Sequence, residues 1–211
     1  MTRNEPAAAP TAPDIAYEWI RDHITSMPRD EDAFLNELSL ASATQTSRTP
    51  VREALLRLES EGFLRRIPRK GAYVPQITDA DLRSLTEARA MIERWAATKA
   101  TAELAANIEP LRALLEAQRS QQHNTARFIE LDIEFHSKMV AFAGNPMVSD
   151  FYSSLRQRQL RIGVRAVAQE GGRAEQVLKE HTAILDAIEQ GADPAAAIQH
   201  HLDATLDAAI H

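Results

Sequence analysis

Apolar residues recur at helical spacing through most of the chain, which predicts a mainly α-helical protein. Two short amphipathic helices are predicted upstream by apolar residues three and four apart: Ile15, Trp19, Ile20 and Ile24 in the first, and Phe34, Leu35, Leu38, Leu40 and Ala41 in the second. A third helix is predicted from Ser47, a good N-cap, with Pro50 in its first turn and Gly62 as its C-cap. Its apolar face is supplied by Leu55, Leu56 and Leu58.

The pattern then changes to two short extended segments. Residues 63–67 and 71–74 flank the turn Pro68-Arg69-Lys70, which predicts a two-stranded wing with a basic tip. Three helices followed by a wing make a winged helix-turn-helix. Arg48 and Arg52 leave the third helix on one side, and a helix that presents arginines from its N-terminal turn is suited to the major groove of DNA. Taken alone, such a pair more often belongs to a solvated helix surface.

A specific set of residues runs through this region: Glu37, Leu40-Ala41, the run from Ser47 to Leu55, Leu58, Glu61-Gly62, and Gly71 to Val74. With this set, residues 14–75 resemble the DNA-binding domain of the GntR family of bacterial transcription regulators. The resemblance implies operator contacts from six or seven positions: Ser47, Arg48, Thr49, Arg52 and Gly71, with Arg69 or Lys70 at the wing tip in the minor groove.

Three departures from the family pattern bear on operator preference. Leu38 stands where an arginine is frequent, Gln45-Thr46 stands where Gly-Val is common, and the acidic run Asp30-Glu31-Asp32 replaces a Pro-Gly turn.

Composition limits the alternatives. The 211 residues include no cysteine, which excludes disulfides and thiolate chemistry. No stretch approaches 18 consecutive apolar residues, and the N-terminus has neither a basic start nor an apolar signal core, so we expect a cytoplasmic protein without a membrane span. Residues 1–13 are rich in alanine, proline and threonine and are predicted to form a disordered tail.

The net charge of −6 is unusual for a DNA-binding protein, but its distribution is uneven. Between Ser47 and Gly71, seven basic residues stand against three acidic ones, and equal acidic excesses lie before Ser47 and beyond residue 75. Because screening limits the field that DNA experiences to about 8–10 Å, the local positive charge decides the affinity.

Residues 76–211 are predicted to form a second domain, an antiparallel six-helix bundle. The predicted helices cover residues 78–104, 109–123, 126–143, 147–168, 173–190 and 194–211.

Several ionisable residues of this bundle are predicted to face its core. Asp132 and His136 are four apart along the edge of one apolar stripe, and His181 and His201 lie among apolar residues of two other helices. One such histidine alone is more often a satisfied core residue than a ligand. Four inward groups from three helices favour a metal site, because buried ionisable groups are costly unless they are paired or bound to metal.

The sequence Asp132-Ile133-Glu134-Phe135-His136, with the later Glu180-His181 and His201-Leu202, resembles the FCD ligand-binding domain of the FadR subfamily of GntR regulators. The resemblance implies a divalent metal held by Asp132, His136, His181 and His201, with His200 on another side of its helix. Zinc is favoured, and nickel or manganese suits the same ligands.

Arg89 lies on the inward stripe of the first bundle helix and needs a buried partner. The carboxylate of a small organic acid would supply bidentate contacts. The structural alternatives are Glu87 and Glu93, which as near neighbours in sequence we expect to point elsewhere.

The sequence therefore predicts a transcription regulator, most simply a repressor, that binds operator DNA as a homodimer and responds to a small organic acid at or near the metal. Two alternatives remain at this point. A metalloenzyme would need an open metal position and a base such as Glu134 or Glu180, and a purely structural metal would act without any effector.

Overall fold

The computed structural model describes residues 10–68, 70–169 and 172–210. The chain divides into two compact units, Met1–Gln76 and Ile77–His211. Both are mainly helical, and the first adds a small antiparallel sheet, which confirms the predicted fold class. Within the described residues, no helix has the length and apolar character needed to cross a membrane.

Three helices form most of the first unit: α1 (Ala12–Ser26), α2 (Glu37–Ala43) and α3 (Arg48–Ser60). α1 starts at a capping box, in which Thr11 and Asp14 each accept a hydrogen bond from the backbone N–H of the other. The C-terminal boundary predicted for the tail, residue 13, is therefore two residues too late, because Ala12 and Pro13 are helical. Residues 1–9 of that tail lie outside the described part of the chain.

The helices pack through a narrower apolar face than the sequence pattern predicts. The buried positions include Ile20, Ile24, Leu40, Ala41, Val51, Leu55 and Leu58. The exposed ones, which the pattern places on the same faces, are Ile15, Trp19, Leu38 and Leu56. Single exposed apolar residues of this kind are common on protein surfaces.

The turn between α2 and α3 explains one departure from the family pattern. Gln45 has a φ of +54°, the left-handed conformation that glycine adopts without strain. The glycine that is common at this position would supply the same backbone shape. Ser47 occupies the N-cap position of α3, although its side chain makes no capping hydrogen bond.

The sheet contains β1 (Ala33–Leu35), β2 (Arg65–Ile67) and β3 (Gly71–Val74), in the order β1-β3-β2 with both pairs antiparallel. β2 and β3 form the predicted wing. β1 is not among the predicted elements, because the apolar pattern assigns Phe34 and Leu35 to the second helix. They form a strand instead because β3 offers a free edge, where Phe34 pairs with Tyr73 and their ring centroids lie 5.1 Å apart.

The described part of the second unit contains eight helices: α4 (Asp79–Lys99), α5 (Thr101–Ala106), α6 (Glu109–Ser120), α7 (Thr125–Ala141), α8 (Pro146–Ser154), α9 (Arg156–Gln169), α10 (Arg173–Glu189) and α11 (Ala195–Ile210). They cover the six predicted segments, two of which are interrupted. The hydroxyls of Thr101 and Ser154 donate to backbone carbonyls of the preceding turn beside the breaks at Ala100 and Leu155. Such back-bonding bends helices, and the apolar pattern does not report it.

α7 is the central helix of this unit and packs against α4, α6, α8 and α9. It carries buried residues on most of its surface, including Phe128, Leu131, Phe135 and Met139. α7 therefore holds its polar residues inside the bundle, where α10 and α11 supply the histidines that face them.

Candidate functional site

The N-terminal turn of α3 presents the predicted DNA-contacting side chains to solvent: Ser47, Arg48, Thr49 and Arg52 are all exposed. One oxygen of Glu37, Oε2, accepts from Nη2 of Arg48 at 3.1 Å and from Nε of Arg52 at 2.8 Å. Slight burial would raise the pKa of Glu37, but the two guanidinium groups hold it below its usual value. Glu37 therefore fixes both arginine side chains on one side of the helix.

The wing and the N-terminal turn of α3 border a common groove. Lys70 and Gly71 line it together with Arg48 and Arg52, and Lys70 is exposed. Arg69, the other residue predicted at the wing tip, lies outside the described residues. The groove thus brings together Arg48, Arg52, Lys70 and Gly71, whereas Ser47 and Thr49 are not among the residues that line it.

Gly71 has a structural role that the sequence did not indicate. Its φ is +98°, and an added Cβ would lie 2.4 Å from the carbonyl oxygen of Leu35. Only glycine lets β3 approach β1 this closely while turning out of the wing tip.

Gly71→Ala should therefore destabilise the first unit by more than about 2 kcal/mol, since it combines a backbone clash with a strained φ. Gly62→Ala is the matched control, because Gly62 also has a positive φ, +85°, but an added Cβ there meets nothing within 4 Å. That control should cost only about 1 kcal/mol. Urea denaturation measures both variants, and equal losses would contradict the close approach of the two strands.

The four residues predicted to hold a metal lie together in the second unit. All are buried, and each offers one ligand atom within 4.8 Å of the others: Asp132, His136, His181 and His201. Nε2 of His136 is 3.2 Å from Nε2 of both His181 and His201, and Nε2 of His181 is 3.2 Å from Oδ1 of Asp132. His200, the near alternative for the last position, is exposed.

The outer nitrogens of the three histidines face oxygen atoms. Nδ1 of His201 lies 2.7 Å from Oε2 of Glu180, and Nδ1 of His181 lies 2.9 Å from Oε1 of Gln118. Nδ1 of His136 lies 2.8 Å from Oε2 of Glu93. The oxygens of Glu180 and Gln118 are placed to accept hydrogen bonds, and that of Glu93 lies at ion-pair distance from His136. These oxygens favour the tautomer in which Nδ1 carries the proton and Nε2 keeps its lone pair.

Three nitrogen lone pairs and a carboxylate therefore converge on one point. These electron-rich groups repel one another unless a cation lies between them. The 3.2 Å spacing of the nitrogens fits ligand atoms around one ion, since bonds of about 2.0–2.1 Å in a tetrahedron place ligands about 3.3 Å apart. The donor set thus fits a divalent metal.

Without metal, the second unit should lose stability as the pH falls from about 6.5 to 4. Burial lowers the pKa of His201 from 6.5 to about 4, although Glu180 opposes the shift, and burial also lowers the pKa of His181. The unfolded chain takes up protons in this window that the folded chain does not, so the stability present above pH 6.5 is lost below it, by ~3 kcal/mol for His201 alone. Urea denaturation of metal-stripped protein across the window measures this, and a flat profile would contradict it.

Arg89 has a protein partner, which corrects our expectation that Glu93 would point elsewhere. Nε of Arg89 donates to Oε1 of Glu93 at 2.7 Å, and the hydroxyl of Tyr152 donates to the same oxygen at 2.7 Å. Although burial opposes it, the charge of Glu93 raises the pKa of Arg89. Nη2 of Arg89 is buried and has no hydrogen-bond partner among the described residues, so part of the guanidinium remains available to a ligand.

Sequence reasoning missed a second buried arginine. Arg173, at the start of α10, donates from Nη1 and Nη2 to the two oxygens of Glu180 at 2.6 and 3.0 Å. Its Nε is buried without a partner in the described part of the chain, as are both amide atoms of Gln159.

These atoms belong to residues that share one small cavity. Arg89, Gln159, Arg173 and Asp132 line it together with apolar side chains of α7, α9 and α11, and its volume is about 30 Å³. That is room for roughly two water molecules. The cavity reaches the Asp/His cluster through Asp132, so a molecule bound there would lie beside these four residues.

The chain matches two family models. The model described as bacterial regulatory proteins, gntR family, matches residues 14–74, and the FCD domain model matches residues 84–204. The chain belongs to the GntR family. It is a transcriptional regulator of the FCD type, a DNA-binding class rather than a class of enzymes.

Relatives of this GntR-family regulator agree with that class. The Nta operon transcriptional regulator of Aminobacter aminovorans is 34% identical over 128 residues, which are 59% of this chain and 60% of that protein. The probable D-xylose utilization operon transcriptional repressor of Paenarthrobacter nicotinovorans is 29% identical over 84% of this chain and 79% of its own length. Among solved structures, E. coli McbR/YncC shares the fold at 19% identity, with a TM-score of 0.64 over 93% of this chain and 94% of that one.

Proposed function

We propose that this GntR-family regulator binds a divalent metal at Asp132, His136, His181 and His201, and that a small organic acid in the adjoining cavity controls its binding to operator DNA. The observation that carries the proposal is the convergence of three Nε2 lone pairs on the carboxylate of Asp132, beside a cavity with unpartnered donor atoms. Zinc suits these ligands best, and nickel or manganese is accommodated by the same donor set.

In this proposal, residues 14–75 bind DNA and residues 76–211 bind the metal and the effector. Two copies form a homodimer in the cytoplasm that engages a palindromic operator, with Ser47, Arg48, Thr49 and Arg52 in the major groove and the wing tip in the minor groove. The protein represses transcription, and the acid relieves repression through its different affinity for the DNA-competent state.

Arg89 would bind the effector through the nitrogen that Glu93 leaves free, and Gln159 and Arg173 would complete the polar contacts. The metal, when bound, acts as a Lewis acid that favours an anion beside it. The small cavity favours a short carboxylic acid over a long acyl chain.

A purely structural metal is the second candidate, and the complete burial of the histidine ligands favours it, because closed four-ligand sites are typical of structural zinc. The two carboxylates considered as a base for catalysis are both engaged elsewhere. Glu180 holds the outer side of His201, and Glu134 pairs with Arg127.

A thermal-shift screen of small carboxylic acids against metal-loaded and chelator-stripped protein tests the proposal. A ligand at 100 times its dissociation constant should add roughly 2.7 kcal/mol to the free energy of unfolding. Stabilisation by an acid only in the presence of metal, together with release of operator DNA by the same acid, is the expected result. If metal stabilises the protein and no acid adds to it, the site is structural.

A further inference from the structure

Each buried arginine of the cavity shares its carboxylate partner with a histidine of the metal cluster. Arg89 and His136 contact the two oxygens of Glu93, and Arg173 and His201 meet at Glu180. Two chains of contacts thus run from the cavity to the cluster, Arg89–Glu93–His136 and Arg173–Glu180–His201. The third histidine, His181, is held by the neutral Gln118, which in the described structure is hydrogen-bonded to neither arginine.

The charges of this network are unbalanced in a particular way. Three carboxylates, Asp132, Glu93 and Glu180, face two guanidinium groups, so the network carries one net negative charge while the histidines are neutral. A divalent ion would change the net charge to one positive unit. One carboxylate in the cavity would then restore neutrality, and uncompensated charge in a buried site is costly.

We propose that Arg89 and Arg173 couple the two sites: each shares with a metal-binding histidine the carboxylate that orients that histidine, and each offers its free nitrogen to the carboxylate of the effector. The inference rests on the proposed function and extends it. An anion that shares the guanidinium of Arg173 leaves more negative charge on Glu180, which then pulls harder on the Nδ1 proton of His201 and makes Nε2 a stronger ligand. Metal and monocarboxylate therefore each raise the affinity for the other, by reciprocity.

In the chain of contacts Arg173–Glu180–His201, substitution of the arginine and substitution of the glutamate should not change zinc affinity in the same direction. Glu180→Gln removes the anion that supports His201 and should weaken zinc binding about 10–100-fold. Arg173→Gln removes the positive charge that competes with His201 for Glu180. Zinc should therefore bind as tightly as in the wild type or more tightly. A merely structural ion pair would give the same loss in both variants.

The experiment measures zinc affinity of the full-length protein by competition with a chelating dye, with and without saturating formate, the carboxylate small enough for the cavity. In the wild type, formate should tighten zinc binding at least about fivefold, the lower end of ordinary coupling. Formamide, the neutral analogue, should have no effect. In Arg173→Gln the formate effect should fall below about twofold. Arg83→Gln, an equal charge change at an exposed position of α4, should keep the wild-type coupling.

Arg173→Lys covers the case in which Arg173→Gln does not fold. It keeps the positive charge but removes the two parallel hydrogen bonds to Glu180, so it should bind zinc while most of the coupling disappears. Unchanged coupling in the Arg173 variants, or equal zinc loss in Arg173→Gln and Glu180→Gln, overturns the inference. If formate does not alter zinc binding in the wild type, the inference is overturned but the metal site stands. If the wild type does not bind zinc, the proposed function itself is overturned.

Discussion

Arg52→Ala should weaken operator binding by roughly 2–6 kcal/mol in a homodimer, because a bidentate contact to a base contributes about 1–3 kcal/mol in each half-site. Arg52 is exposed on the first turns of α3, and its guanidinium donates a hydrogen bond to Glu37. Fluorescence anisotropy on an operator obtained by in vitro selection with the wild-type protein measures the loss. The variant should also discriminate less at one position of each half-site.

Two comparisons make this prediction specific. Arg119→Ala removes an exposed arginine of α6 that pairs with Glu116, and it should leave operator affinity within about 0.5 kcal/mol of the wild type. Arg52→Ala should also keep a full complement of metal, because α3 belongs to the first unit and the metal cluster to the second. Loss of metal in this variant would contradict two separable sites.

His136→Ala should reduce metal content from about one ion per chain to almost none. His136 lies at the centre of the cluster, within 3.2 Å of the ligand atoms of both other histidines, so its removal leaves a gap in the ligand set. The stabilisation that metal gives the protein, about 4 kcal/mol at 1,000 times the dissociation constant, should disappear with it. Elemental analysis and thermal unfolding with and without zinc measure the two effects.

The fold should survive this substitution, because Glu93 keeps its hydrogen bonds from Arg89 and Tyr152. His200→Ala is the matched control, since it removes the exposed histidine next to His201 and should retain one ion. Stoichiometric metal in His136→Ala would refute the assignment of the ligands. Operator binding without effector should remain in both variants.

The placement of the metal-cluster residues is predictable from the sequence because helical periodicity fixes which side chains share a face. Asp132 and His136 are one turn apart on a helix whose remaining stripe is apolar, so their burial follows from α7 alone. Whether His181 and His201 lie beside these two residues depends on how the helices pack, which periodicity does not show. The order of the motif residues in the family resemblance provides this information.

The outer contacts of the cluster are not predictable in the same way. Glu93 is one turn from Arg89, and this i, i+4 spacing favours the ion pair that the structure shows, against our expectation that the two side chains diverge. Glu180 is visible in the sequence only as the residue before His181. Gln118 and Arg173 approach from separate helices, and no local pattern shows that a glutamine will orient a histidine 63 residues away.

The strand β1 is not predicted from the sequence for a different reason. Residues 33–35 are too few to establish a period of two, and the apolar pair Phe34-Leu35 continues the pattern of the following helix. Strand formation there depends on the edge of β3, a long-range partner that a local window does not contain.

The interaction of Glu37 with both arginines of α3 has a consequence for how the regulator searches DNA. An arginine that is already neutralised by a carboxylate displaces fewer counterions when it passes a phosphate, and each phosphate that it leaves unneutralised makes the slope of log affinity against log salt shallower by about 0.9. In the proposed DNA complex we expect non-specific affinity to be reduced more than specific affinity, since base edges that hydrogen-bond to the guanidinium would compensate for its separation from Glu37. We therefore expect the carboxylate of Glu37 to compete with DNA for these arginines, so that a correct half-site displaces it and random sequence does not.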